Sequence, residues 1–305
     1  MFALNISLFF FIFICQLFLT FYAVNKLFNK ETFYYYNFGN NEKEYTFFII
    51  NLSLLLLIFL QGAINNNFFY LNLNIYKTFY FQIFLSCFGL YFIFKKFNYI
   101  KLKLINYSKI KFKTPSVETI FLLFLILLNL VIILNRTFVE WNDQDEITQY
   151  GYYTRLFAEG WTLKDNFYFN LKQTGEVFGV FTRFSELIFS STYLVFESFF
   201  IIKLFRFILF LNILFLLYIF INSLTKSSYI SLIFLLLVIV IPEFSYVGSF
   251  SLKVDFILFL TETLSLIFLI SFINKYFCFN NADIEISFLN VFIFFAVLFS
   301  IFGFA

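Results

Sequence analysis

Three acids, Asp143, Asp145 and Glu146, fall within one helical turn of each other. Carboxylates set this close can take a proton from an attacking hydroxyl. Further along, Lys203 and Arg206 sit near one end of an apolar run, and Lys253 and Asp255 near the end of another. A guanidinium meets a phosphate with paired donors, and an ammonium meets it as a point charge. The same residues have plainer readings. Acids suit the positive end of any helix dipole, and single basic residues at helix ends snorkel toward water.

The chain has no histidine, which excludes histidine acid–base chemistry, Ser-His-Asp triads and histidine metal sites. Its cysteines, Cys15, Cys87 and Cys278, form no CxxC pair, so neither a zinc site nor a redox pair is indicated. A lone acidic group can hold a divalent cation; no cofactor and no metal ligand set is otherwise indicated.

The elements that must position these residues are membrane helices. The chain is 62% hydrophobic and 13% charged over 305 residues, too little polar surface for a water-soluble domain of that size. The 57 phenylalanines rise together with Ile, Asn, Lys and Tyr, the signature of AT-rich coding, and carry no mechanism. Apolar runs near the spanning length of about 20 residues predict an all-α, polytopic transmembrane helical bundle of about eight spans. They cover 2–24, 45–64, 78–94, 117–134, 201–221, 228–247, 254–273 and 286–305. Residues 65–76 are expected to form a turn. Lys95, Lys96, Lys101, Lys103, Lys109, Lys111 and Lys113 follow the third span with no acid among them. Beside two spans such a stretch marks the cytoplasmic side and is not a nucleic-acid site.

That orientation puts residues 135–186 on the outer face, as short amphipathic helices on the bilayer surface. Asn142 or Asp143 can cap a helix, Ile147, Tyr150, Thr154 and Phe157 share one face, Gly160 stops it and Trp161 anchors it at the interface. Residues 187–200 are apolar but short, broken by Ser190, Ser191 and Glu197, and read as a re-entrant or interfacial piece. With that reading Asp145, Glu146, Lys203, Arg206, Lys253 and Asp255 all face outward. Glu262, inside the seventh span, is a further candidate because ionisable groups at membrane depth are costly. The final run stops without a polar tail, which suggests a chain incomplete at its C-terminus.

The run Asp145-Glu146-Ile-Thr-Gln-Tyr150-Gly-Tyr-Tyr-Thr-Arg155, continuing to Glu159-Gly160-Trp161, resembles the first outer loop of GT-C type membrane glycosyltransferases. The likeness is to the branch of protein O-mannosyltransferases and lipid A aminoarabinose transferases. Phe196-Glu-Ser-Phe-Phe-Ile-Ile-Lys203-Leu-Phe-Arg206 is similar to their Glu-x-x-x-x-Arg-Leu helix start, and the segment from Pro242 to Asp255 to their Pro…Asp segment. The likeness covers residues 117–275. It departs in having three additional spans first and in lacking Lys-Pro-Pro, for which Lys172 is a loose stand-in. The chain therefore divides into an additional N-terminal region, 1–114, and a GT-C-like core, 115–305.

The resemblance implies transfer of a sugar from a polyprenyl-phosphate carrier to a lipid, glycan or protein acceptor, at a multi-pass site in a bacterial inner membrane, with no nucleic acid involved. Asp145 and Glu146 become the catalytic candidates, with Asp145 as base. Asp143, Lys203, Arg206, Lys253 and Asp255 become substrate-binding candidates. Two other classes compete: a lipid or polysaccharide transporter or flippase, and a non-catalytic membrane subunit.

Overall fold

The computed structural model describes residues 2–27, 42–108, 115–138, 151–162, 164–165, 184–241, 261–270, 273 and 297, and backbone alone for 2–5, 42–44, 96–108, 136–138, 151–152 and 184–186. Every regular element among the described residues is a helix. In chain order they are α1 (Phe2–Leu27), α2 (Glu42–Tyr70), α3 (Ile75–Ser108), α4 (Val117–Phe138), α5 (Gly151–Ala158), α6 (Phe184–Phe196), α7 (Phe199–Thr225), α8 (Ser228–Val240) and α9 (Thr261–Ile270). Helices α1, α2, α3, α4 and α7 are long and apolar enough to cross a membrane. The protein is an all-helical, multi-pass membrane protein.

Helix is the expected outcome in lipid, because it satisfies every backbone group within its own segment. What differs between helices is how much of each is covered. The spanning window of α2 is 67% buried and that of α7 56%, against 11% for α4. α2 and α7 are therefore the inner helices. α2 packs against α1, α3, α6 and α7; α8 packs against α4 and α7. One apolar core joins them, centred on Leu52, Leu55, Ile202, Leu209, Phe210 and Ile213. α1 and α2 share that core with the later helices, and among the described residues α3 adds none to it.

One boundary differs from the sequence expectation. Residues 65–70 are the last turns of α2, and the turn is confined to 71–74. Asparagine favours turns because its amide competes for backbone groups. Here the Asn65 amide is buried and engaged by other helices, and Asn67 Nδ2 donates back to the Ala63 carbonyl (2.8 Å). The stop comes at Asn72, at φ 55°. Its N–H bonds the Phe69 carbonyl (3.0 Å) and the Leu73 N–H the Phe68 carbonyl (2.8 Å), so asparagine fills the left-handed place of a Schellman cap. The third span, expected at 78–94, is present at 75–95, and its helix α3 continues to Ser108. Its 34 residues extend about 51 Å, some 20 Å beyond a hydrocarbon core of about 30 Å. No Gly or Pro interrupts residues 90–108, and a helix needs no bilayer to continue.

α1 and α3 approach closely. A Cβ at Gly89 would fall on the carbonyl oxygen of Cys15 and 2.5 Å from its carbonyl carbon. Small residues permit this approach between membrane helices, where packing rather than water drives association. The expected spans at 228–247, 254–273 and 286–305 lie partly or almost wholly outside the described residues.

Candidate functional site

Four pieces meet at the end of the bundle that carries the 71–74 turn, termed the upper end. They are α5, the end of α2, α6 and the start of α7.

α5 is amphipathic. Tyr153, Leu156 and Phe157 are buried with Phe69 and Leu187 in a small cluster separate from the main core. The Phe69 and Phe157 rings meet edge to face, with centroids 4.9 Å apart. Arg155 and Glu159 face outward and pair at 2.7 Å, an exposed i,i+4 contact of little energetic weight. The expected stop at Gly160 is present. Its φ is +103°, its N–H bonds the Phe157 carbonyl (3.1 Å), and the Trp161 N–H bonds the Leu156 carbonyl (3.1 Å). Trp161 then packs against the cluster as the cap's hydrophobic contact. Lys164 N–H donates to Asn72 Oδ1 (3.0 Å), which ties this segment to the α2–α3 turn. Gly160→Ala forces a side chain into the left-handed region and puts its Cβ 3.3 Å from the Tyr76 ring. We expect it to loosen α5 by about 1–2 kcal/mol. Faster amide exchange confined to 151–158 is the readout.

α6 neither crosses nor leaves the bundle. Its 13 residues extend about 20 Å, short of the roughly 30 Å needed. α1 and α2 run antiparallel, joined by Tyr45 Oη to Asn25 Oδ1 (2.8 Å) and, further up, Gln61 Nε2 to Gln16 Oε1 (3.1 Å). At the start of α6, the Leu187 carbonyl accepts from Asn65 Nδ2 (2.8 Å), near the end of α2. At its finish, Phe196 packs edge-on to Phe9, near the start of α1, with centroids 5.4 Å apart. Both contacts lie at the upper end. The chain thus enters and leaves α6 on one side, as its length and its serines suggest.

Behind α6 runs a chain of buried amides. Gln61 donates to Gln16, Gln16 Nε2 to the Gln82 carbonyl (3.2 Å), and Gln82 Nε2 to Asn65 Oδ1 (3.3 Å). Asn65 Nδ2 then donates to the Leu187 carbonyl and to Ser191 Oγ, each at 2.8 Å. Four helices are stitched by uncharged groups that water does not reach. A recess with room for about one water sits above Asn65, between Thr78, Phe157, Trp161 and Leu187. The sequence reading missed this chain. Its signal was present: Gln16, Gln61 and Gln82 interrupt apolar runs, and an amide inside a span must find a partner.

α7 begins at Phe199, with two residues between it and the end of α6. Lys203 and Arg206 are therefore about 6 and 10 Å down its axis, three residues apart on one face. Their exposures are 4% and 2%, and Arg206 is among the largest fully buried side chains. Snorkelling leaves the charged head at the perimeter; these two heads are inside the protein. Nε and Nη1 of Arg206 make no hydrogen bond, while both residues are engaged through other contacts.

The remaining candidates, Asp143, Asp145, Glu146, Lys253 and Asp255, lie outside the described residues, as does Lys172. Glu262 is exposed on α9, away from the packed face of Thr261, Leu264, Ile267 and Phe268. Glu197 is exposed at the α6–α7 junction with φ 48°, a left-handed conformation uncommon for glutamate. Among the described residues no group of three Cys, Asp or Glu could hold a metal ion.

In comparisons with known proteins, no family model matches the chain, and neither a curated protein nor a solved structure matches it.

Proposed function

We propose that the protein is a membrane glycosyltransferase of GT-C type in a bacterial inner membrane. It moves a sugar from a polyprenyl-phosphate carrier to a lipid, glycan or protein acceptor at the outer face, which is the upper end of the bundle. One observation carries the reading: Lys203 and Arg206 are buried on one face of the first turns of α7, just below the end where α5 and α6 pack. Ionisable groups at membrane depth are costly and mark functional sites by default, and both cations are also held by contacts within the fold. A lipid-linked phosphate presents its charge at that depth.

The chemistry then divides between the two polar regions. The acceptor hydroxyl attacks the anomeric carbon and gives its proton to Asp145, with Glu146 or Asp143 orienting the acceptor. The bond from that carbon to the phosphate oxygen breaks, and the phosphate leaves with the electron pair. Arg206 and Lys203 stabilise the charge it gathers, with Lys253 behind them. Asp255 holds sugar hydroxyls. Nearby carboxylate charge favours the oxocarbenium character of the carbon. The residues in hand require no cofactor for this, and the acids are able to hold a divalent cation.

A second reading, a lipid or polysaccharide transporter or flippase, is favoured by α6, a short helix that ends inside the bundle, as the half-helices of transporters do. Membranes carrying the protein, supplied with radiolabelled sugar on a polyprenyl-phosphate carrier, separate the two. The enzyme moves label from the polyprenyl carrier into acceptor, breaking its bond to phosphate, whether the acceptor is lipid, glycan or protein. A transporter carries the intact lipid-linked sugar across the bilayer with its bond to phosphate unbroken, and that result would overturn the proposal.

A further inference from the structure

We infer that Asn65 is a positioning residue for the cation pair of α7, acting through Ser191 and Leu187 of α6. The inference rests on the phosphate-binding role proposed for Lys203 and Arg206.

α6 cannot fix its own place. It is too short to be held by two membrane surfaces, and it buries Ser190, Ser191 and Thr192. Ser190 Oγ bonds within its own helix, to the Leu187 carbonyl (2.8 Å). Ser191 Oγ and that same carbonyl instead receive both Nδ2 hydrogens of Asn65, from a helix 122 and 126 residues earlier in the chain. Asn65 is 2% exposed, and Gln82 fills its oxygen, so its amide has one available orientation. The path onward is short and stiff. Tyr193 packs its ring on Phe199, with centroids 4.5 Å apart, and α7 starts after only Glu197 and Ser198. Lys203 is one turn further. A shift of α6 is therefore passed directly to the cations, and Asn65 sets where α6 sits.

The test measures binding of undecaprenyl phosphate to the full chain in lipid nanodiscs, with undecaprenol as the uncharged control. Asn65→Leu is expected to raise Kd about tenfold, the scale of losing interhelical polar contacts in a bilayer. Ser191→Val should do nearly the same, and Ser191→Thr, equal in shape but keeping the hydroxyl, should bind as wild type does. The Asn65→Leu/Ser191→Val double variant should be no worse than the poorer single one, because both remove one contact. A ligand-independent readout accompanies these. With Cys15, Cys87 and Cys278 replaced by alanine, Phe9→Cys and Phe196→Cys should be crosslinked readily by a short bifunctional thiol reagent with Asn65 present and slowly with leucine there.

Wild-type Kd and unchanged crosslinking in Asn65→Leu would overturn the inference. So would equal binding by the Ser191 threonine and valine variants. If Asn65→Leu fails to fold, the Ser191 pair decides. If wild type holds undecaprenyl phosphate no better than undecaprenol, the functional proposal fails, and crosslinking alone decides whether Asn65 seats α6.

Discussion

Arg206→Gln is expected to weaken undecaprenyl phosphate binding about a hundredfold. Glutamine keeps a polar head of similar reach and removes the charge. A hydrogen bond to a charged partner contributes about 1.5–3 kcal/mol, and about 2.8 kcal/mol is two decades in Kd. At 2% exposure no water is available to replace the lost donor. Arg206→Lys keeps the charge without the planar fork and should lose about tenfold. Because the site is buried, these differences should persist in moderate salt. The measurement is a titration against undecaprenol in nanodiscs. Binding by Arg206→Gln at the wild-type level would leave Arg206 a structural residue. Asp145→Asn should behave differently, retaining the carrier while losing transfer by about a hundredfold or more. That split between binding and turnover separates a group that holds the donor from one that acts during reaction.

Gly89→Ala is expected to cost about 3 kcal/mol or to prevent the native bundle from forming. The added carbon meets main chain, the carbonyl of Cys15, so no side-chain rotation relieves it. α1 and α3 must separate, and overpacking of this kind costs about 1–3 kcal/mol even where neighbours can adjust. Separation would also stretch the Gln16 to Gln82 bond, now 3.2 Å, and part the stacked Tyr22 and Phe92 rings, now 4.5 Å apart. The readouts are monodisperse yield and thermal midpoint after extraction. Cys15→Ala should not rescue the variant, since the obstruction is backbone. A Gly89→Ala protein with an unchanged midpoint would mean that the two helices are not in the close contact described.

Much of the helical plan was legible because it follows from apolar length alone. The spans up to α7, the stop at Gly160 and the brevity of α6 needed no tertiary information. The end of α2 was misplaced because asparagine was weighed by its behaviour in water, whereas Asn65 lies where only other helices can bond it. The burial of Lys203 and Arg206 was equally hidden. Sequence gives their distance from a helix start but not what covers them. Nothing local to Gln16, Gln61, Asn65 or Gln82 says they join, because their partners lie up to 126 residues away. The proposed catalytic acids have a sequence argument alone, since Asp145 and Glu146 lie outside the described residues.

The short reach of α6 also fixes a parity. α1, α2 and α3 each reverse the chain, α4 reverses it again, and α6 contributes no reversal. α7 therefore descends beside α2 with opposite direction, as the stacking of Phe47 on Phe215 requires (centroids 6.3 Å). Lys226, which caps α7, consequently arrives at the same bilayer face as Lys26 and Lys95. Lengthening α6 by two apolar turns would let it cross, and every segment after it would exchange compartments. The direction of every described helix after α6 thus follows from the shortness of that one helix.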